Sequence, residues 1–90
     1  MKRWTMLLAG ALLAFAVHAE DSVRFGNKVV SVGDSQGKVY QVAGQPTDIV
    51  QLQTKYGGAA GYRLDYVTGR KTVQIYIRGG VVDNIEEIFN

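Results

Sequence analysis

Residues 62–89, YRLDYVTGRKTVQIYIRGGVVDNIEEIF, constrain the fold more than any other stretch. Tyr62, Leu64 and Tyr66 alternate with Arg63, Asp65 and Val67, and Val73, Ile75 and Ile77 alternate in the same way after the turn-like TGRK. A period of two is the signature of strands with one buried face. With Thr68–Lys71 as the connection, Tyr66 stands opposite Val73, Leu64 opposite Ile75 and Tyr62 opposite Ile77. All six apolar side chains then share one face, and a slip by one residue would mix the faces. The next connection, Arg78–Val81, sets Ile77 opposite Val82, which leaves Ile85 with the wrong parity. A β-bulge near Asp83–Asn84 adds one residue and turns Ile85 inward. Upstream, DIVQLQT (Asp48–Thr54) reads as a further strand with Val50 and Leu52 on one face, and KYGGAAG (Lys55–Gly61) as a flexible loop.

The segment VGDSQGKVYQVAGQP, Val32–Pro46, has a different period. Ser35 is a good N-cap, and Asp34 adds negative charge where a helix start favours it. Val39, Val42 and Ala43 lie on one helical face, Gly44 suits the C′ position and Pro46 blocks continuation. A helix of two turns over 36–43 follows, weakened by Gly37 and dependent on packing. The fold class is therefore α+β: a short capped helix packed on an antiparallel β-meander of three to four strands. EDSVRFGN (residues 20–27) reads as a loose arm and KVVSV (Lys28–Val32) as a short strand or an extended lead-in.

The N-terminus explains the charge. Lys2 and Arg3 precede twelve apolar residues, Met6–Val17, and Val17-His18-Ala19 supplies modest side chains before a cut after Ala19. This is the layout of a secretory signal peptide, and the run is too short for a membrane span. Residues 1–19 are thus a leader, 20–90 a single domain of 71 residues, and the destination is periplasmic or secreted. The formal charge of +2 belongs to Lys2 and Arg3; eight basic and eight acidic residues remain beyond Ala19. A neutral domain has no basic field for nucleic acid. With no Cys in the chain, lipid attachment at the new N-terminus is ruled out, so no stable membrane anchor is expected after cleavage. The leader also removes His18, Trp4 and both Met residues. What remains lacks the commonest general base and the commonest ligands of zinc, so no catalytic, metal or cofactor site is expected. A 71-residue domain has a small core, and homodimer formation is one route to added stability.

Three further patterns have plain readings. Gly33–Lys38 is one residue short of a phosphate-binding loop, has Val39 where a metal-binding hydroxyl belongs, and leads into two helical turns. It reads as a helix cap. Glu86 and Glu87 are adjacent and point to opposite faces of a strand, one of them sharing a face with Asp83 or Asn84. They read as solvated surface. The C-terminal strand, VVDNIEEIF, reads as a sheet edge guarded by Asp83, Glu86 and Glu87, with Phe89 in need of an apolar partner.

Tyr62 and Tyr66 belong to the inward stripe, whereas Tyr76 lies on the other face, opposite Arg63, with Asp65 opposite Gln74 beside it. Arg63, Asp65, Gln74 and Tyr76 form the candidate protein-interaction surface, since Tyr and Arg are enriched where interfaces gain most of their energy. An ordinary cross-strand pair on a wet sheet face is the competing reading.

SVGDSQGKVYQVAGQP followed by the meander resembles a small exported bacterial family of unassigned role and, more distantly, the SmpA/OmlA (BamE-like) envelope lipoproteins. Gly33, Ser35, Val39, Gly44 and Pro46 carry the resemblance, which spans roughly residues 24–88. It implies a capped helix on an antiparallel meander, also comparable with β-lactamase inhibitor proteins. Two positions that are commonly Cys in the exported family are Phe25 and Ala43 here. The resemblance implies that Phe25 packs near Ala43 in place of a disulfide. The lipoproteins' anchoring Cys is absent too. The expected function is a non-catalytic envelope protein that binds another envelope protein through the outer sheet face or an edge strand. The alternative is an inhibitor of an extracellular enzyme (a lysozyme, protease or β-lactamase), with Tyr56–Gly61 as the inserting loop.

Overall fold

The computed structural model describes residues 16–53 and 58–89. In chain order the elements are β1 (Ala16–Glu20), β2 (Ser22–Phe25), β3 (Lys28–Ser31), α1 (Gln36–Ala43), β4 (Asp48–Gln53), β5 (Ala59–Thr68), β6 (Lys71–Arg78) and β7 (Val81–Phe89). The fold is α+β: one short helix, a five-stranded antiparallel sheet in the order β1-β7-β6-β5-β4, and a separate β2–β3 hairpin.

The meander β4–β7 has the register that alternation dictates. Tyr66 pairs with Val73, Leu64 with Ile75 and Tyr62 with Ile77. Ile77 pairs with Val82 while Tyr76 pairs with Asn84, so Asp83 is the extra residue of a bulge. The bulge returns Ile85 to the inner face, where it is fully buried. Both connections close more tightly than expected, because Thr68 pairs with Lys71 and Arg78 with Val81. Tyr66 is buried, but Tyr62 is 43% exposed at the margin of the inner face, so only one of the two inward tyrosines is core.

One layer covers that inner face. Val39 of α1 and Val23 and Val30 of the hairpin join Leu64, Tyr66, Val73, Ile75, Ile77, Val82 and Ile85 in a single core, with Phe25, Tyr40, Val42 and Ala43 packed against it. The arm over 20–27 is therefore not loose. Its Val23 is buried, and β2 pairs with β3 from Ser22↔Ser31 to Phe25↔Lys28. A helix of eight residues is too narrow to cover the sheet, and the hairpin supplies the missing apolar area. Phe25 and Ala43 both pack on this core, and the ring of Phe25 meets Tyr66 edge-on at 5.3 Å.

The helix follows the local rules. Ser35 is extended (φ −76°, ψ 157°), and its Oγ accepts from the Lys38 N–H at 3.1 Å. Gly44 has φ 78°, and its N–H donates to the Tyr40 carbonyl at 2.9 Å. Asp34 does more than add charge at the helix start: its carboxylate accepts from the Ser31 N–H at 2.8 Å and closes the turn after β3. The near-phosphate loop thus joins an antiparallel strand to a two-turn helix.

Two boundaries differ from expectation. β5 begins at Ala59, so the end of the loop expected over Lys55–Gly61 is strand; residues 54–57 lie outside the described residues. β7 is not a sheet edge. Its first part is tied to the loop before α1: the Gly33 N–H donates to the Val82 carbonyl at 2.9 Å, the Val82 N–H to the Asp34 carbonyl at 2.8 Å, and the Gln36 N–H to the Gly80 carbonyl at 2.9 Å. Its second part pairs with β1, from Glu20↔Ile85 to Ala16↔Phe89. Three charged residues on β7 do not prevent this, because backbone pairing is available wherever a strand can reach an edge. Of the expected leader, residues 1–15 lie outside the described residues and 16–19 belong to β1. No helix among the described residues is long and apolar enough to cross a membrane.

Candidate functional site

Strand parity puts every second residue of the sheet on the face away from the core. On β5 and β6 these include Arg63, Asp65, Gln74 and Tyr76, and register brings the four together as Arg63↔Tyr76 and Asp65↔Gln74. Helix and hairpin both pack on the opposite face through the common core.

Arg63 and Asp65 point the same way two residues apart. Arg63 Nε donates to Asp65 Oδ1 at 2.8 Å and Nη2 donates to Oδ2 at 3.0 Å, a bidentate pair. Asp65 is only 9% exposed, the one buried charged residue described. Its hydrogen bonds, with some charge attraction, raise the Arg63 pKa above its ordinary value against an opposing effect of burial. The guanidinium is thus held by its neighbour on β5 with its charge balanced.

β7 adds two groups that inspection of β5 and β6 misses. The Tyr76 hydroxyl donates to Glu86 Oε1 at 3.4 Å, and Asn84 Nδ2 donates to Glu86 Oε2 at 3.3 Å. Burial, then the charge of Glu86, push the Tyr76 phenol up. It stays protonated at neutral pH and acts as a donor, unlike a tyrosine tuned as a base. The signal for Asn84 and Glu86 was in the sequence: the bulge at Asp83 that turns Ile85 inward also turns its neighbours Asn84 and Glu86 outward. Glu87 faces the other way and pairs with Lys71 at 2.9 Å, and Lys71 Nζ also lies 5.7 Å from the Phe89 ring centroid. The adjacent glutamates therefore do opposite things.

β4 extends the row. Asp48 pairs with Asp65, and Val50 with Arg63. One line across the outer face thus runs Asp48, Asp65, Gln74, Glu86, with only Arg63 bonded to any of its carboxylates among the described ion pairs. Along this line the face is locally acidic within a neutral domain, and it also carries the apolar Val50, Val67 and Ile88. It offers carboxylate acceptors and a phenol donor, with Asp65 held by Arg63 within β5 and Tyr76 bonded across to Glu86 of β7. The described residues enclose no pocket and bring together no group of three metal-ligating side chains. Of the loop expected to insert into an enzyme, Tyr56 and Gly57 lie outside the described residues, and Gly61 is within β5.

No family model, no curated protein and no solved structure matches this chain.

Proposed function

We propose that the chain is a non-catalytic protein-interaction module of the bacterial cell envelope, exported to the periplasm or secreted, and that it meets its partner through the outer sheet face. The observation that supports this reading most is the group of Arg63, Asp65, Tyr76 and Glu86 on the outer face, ordered by side-chain hydrogen bonds within β5 (Arg63 to Asp65) and between β6 and β7 (Tyr76 to Glu86), with Gln74 between them in register. Side chains already fixed lose little entropy on binding, and a tyrosine and an arginine at the centre of such a patch suit a protein contact. The acidic line favours a partner that presents basic side chains or hydrogen-bond donors. The helix-then-meander order agrees with the BamE-like resemblance, and the leader-like N-terminus supports an envelope destination.

The test is a photo-crosslinking residue placed at Gln74 in the cell that makes the protein. A defined envelope protein should be trapped at Gln74 and not at Lys28 on the hairpin. Crosslinks to this chain alone, or none at either position, would overturn the reading.

A further inference from the structure

On the side away from β6, the second part of β7 is paired by the segment expected to be cut away. β1 pairs with β7 as Ala16↔Phe89, Val17↔Ile88, His18↔Glu87, Ala19↔Glu86 and Glu20↔Ile85. A cut after Ala19 removes four of these five partners. The first part of β7 is unaffected, because the loop over residues 33–36 holds it through Val82 and the Ser35↔Val81 bridge. Cleavage would therefore open a short, bounded length of edge at Glu86–Ile88, next to a length that stays closed. An open strand edge presents unpaired backbone N–H and C=O groups and accepts an extended chain.

We infer that this edge is a strand-addition site, capped by the chain's own residues 16–19 until the leader is removed and then filled by an extended segment of another protein with a basic residue opposite Glu86 and an apolar residue opposite Ile88. The inference deepens the proposed function and rests on its reading of residues 1–19 as a removable leader. The register comes from β1, which already lies antiparallel along β7. The chemistry of the occupant comes from the side chains that line the edge. Glu86 accepts from two neutral donors, Tyr76 and Asn84, and forms none of the described ion pairs. Glu87 already has Lys71. A cation opposite Glu86 thus finds an unneutralised carboxylate on the same face, and an apolar side chain two residues before it meets Ile88. A second copy of this chain fits worse: antiparallel registers centred on Glu86 or Glu87 put a carboxylate opposite itself. The edge also borders the outer face, so one partner can pair with β7 while its side chains reach the acidic row.

The protein is isolated after export from its own cell, and its mass gives the N-terminus. Two acetylated peptides serve as probes: Ala-Val-His-Ala-Glu, the sequence of residues 16–20, and the same peptide with Ala19→Lys. In the protein that begins at Glu20, the amides of Glu86–Ile88 that face away from β6 exchange with deuterium much faster than that of Val82. Either peptide at millimolar concentration slows them, and the lysine peptide binds about threefold tighter, the value of one favourable cross-strand pair. Glu86→Lys reverses the order of the two peptides. Protection at Glu86–Ile88 equal to that at Val82, or peptides that leave these amides unchanged, overturns the inference while the leader reading stands. A mass that retains residues 1–19 overturns the leader reading and the inference together.

Discussion

The hydroxyl of Tyr66, near the C-terminal end of β5, donates to the carbonyl oxygen of Gly44 at the end of α1, 2.9 Å away and twenty-two residues distant in sequence. The same ring meets Phe25 of the hairpin. One side chain thus joins the sheet to both elements that cover it. A helix of two turns has little stability of its own, so a bond that fixes its C-terminal end to the sheet matters beyond its own strength. Tyr66→Phe keeps the ring and removes the bond. The variant should lose about 1 kcal/mol, read as a lower urea midpoint with an unchanged slope.

The same residue sets an alkaline limit. Burial, with Tyr40 adding, pushes the Tyr66 phenol up to about 12, against about 10 in an unfolded chain. The folded state then holds a proton that the unfolded state has released. Stability from this difference is complete below about pH 10 and is lost as pH rises toward 12. Tyr76 is raised as well and acts in the same direction. Unfolding midpoints measured from pH 9 to about 11.5 should fall with pH in the native protein and fall less steeply in Tyr66→Phe.

Two glycines should respond oppositely to alanine. Gly61, beside the β4–β5 irregularity, has φ 126°, and a Cβ there would run into the Ile77 carbonyl oxygen of the neighbouring strand. Gly61→Ala should destabilise by more than about 1 kcal/mol. Gly37 lies in the first turn of α1, where a Cβ would meet only Ser35 Oγ at 3.9 Å. Gly37→Ala should stabilise by about 0.5–1 kcal/mol. Thermal unfolding of the two variants side by side checks the contrast.

Arg63 and Asp65 should behave as a unit. Arg63→Val leaves a nearly buried carboxylate without its cation and should cost about 1–3 kcal/mol. Adding Asp65→Val removes the stranded charge and places a strand-favouring residue at each position, so the double variant should regain most of the loss. A double-mutant cycle measured by urea unfolding reads the coupling. A double variant that is stable yet no longer crosslinks would separate the pair's role in binding from its role in folding.

Much of the fold was legible because its determinants are local. Ser35, Gly44 and Pro46 mark the ends of α1 in the residues that make them. Hairpin register follows from parity plus the length of each connection, so Tyr66↔Val73 and Ile77↔Val82 could be written down from the chain alone. The bulge at Asp83 follows from the same arithmetic. Four of the outer-face residues were legible for this reason, and Asn84 and Glu86 were implied once the bulge was placed. Of the hairpin over 22–31, β3 was read as a short strand or extended lead-in, but β2 and the pairing were not legible, since four-residue strands around Gly26-Asn27 carry little periodicity, and their pairing is driven by burying Val23 and Val30 under a sheet distant in sequence.

For β5, β6 and β7 the sequence by itself determined which residues alternate, where the chain turns and which face is apolar, because these depend on backbone geometry and side-chain type within a few residues. Only the tertiary structure decided what lies against those faces and edges. It showed that the hairpin shares the core with α1, that Tyr66 reaches Gly44, and that residues 33–36 and 16–20 divide the edge of β7 between them. Such pairings join segments far apart in the chain. They are settled by competition among all the surfaces that need covering, a balance that no single stretch of sequence records.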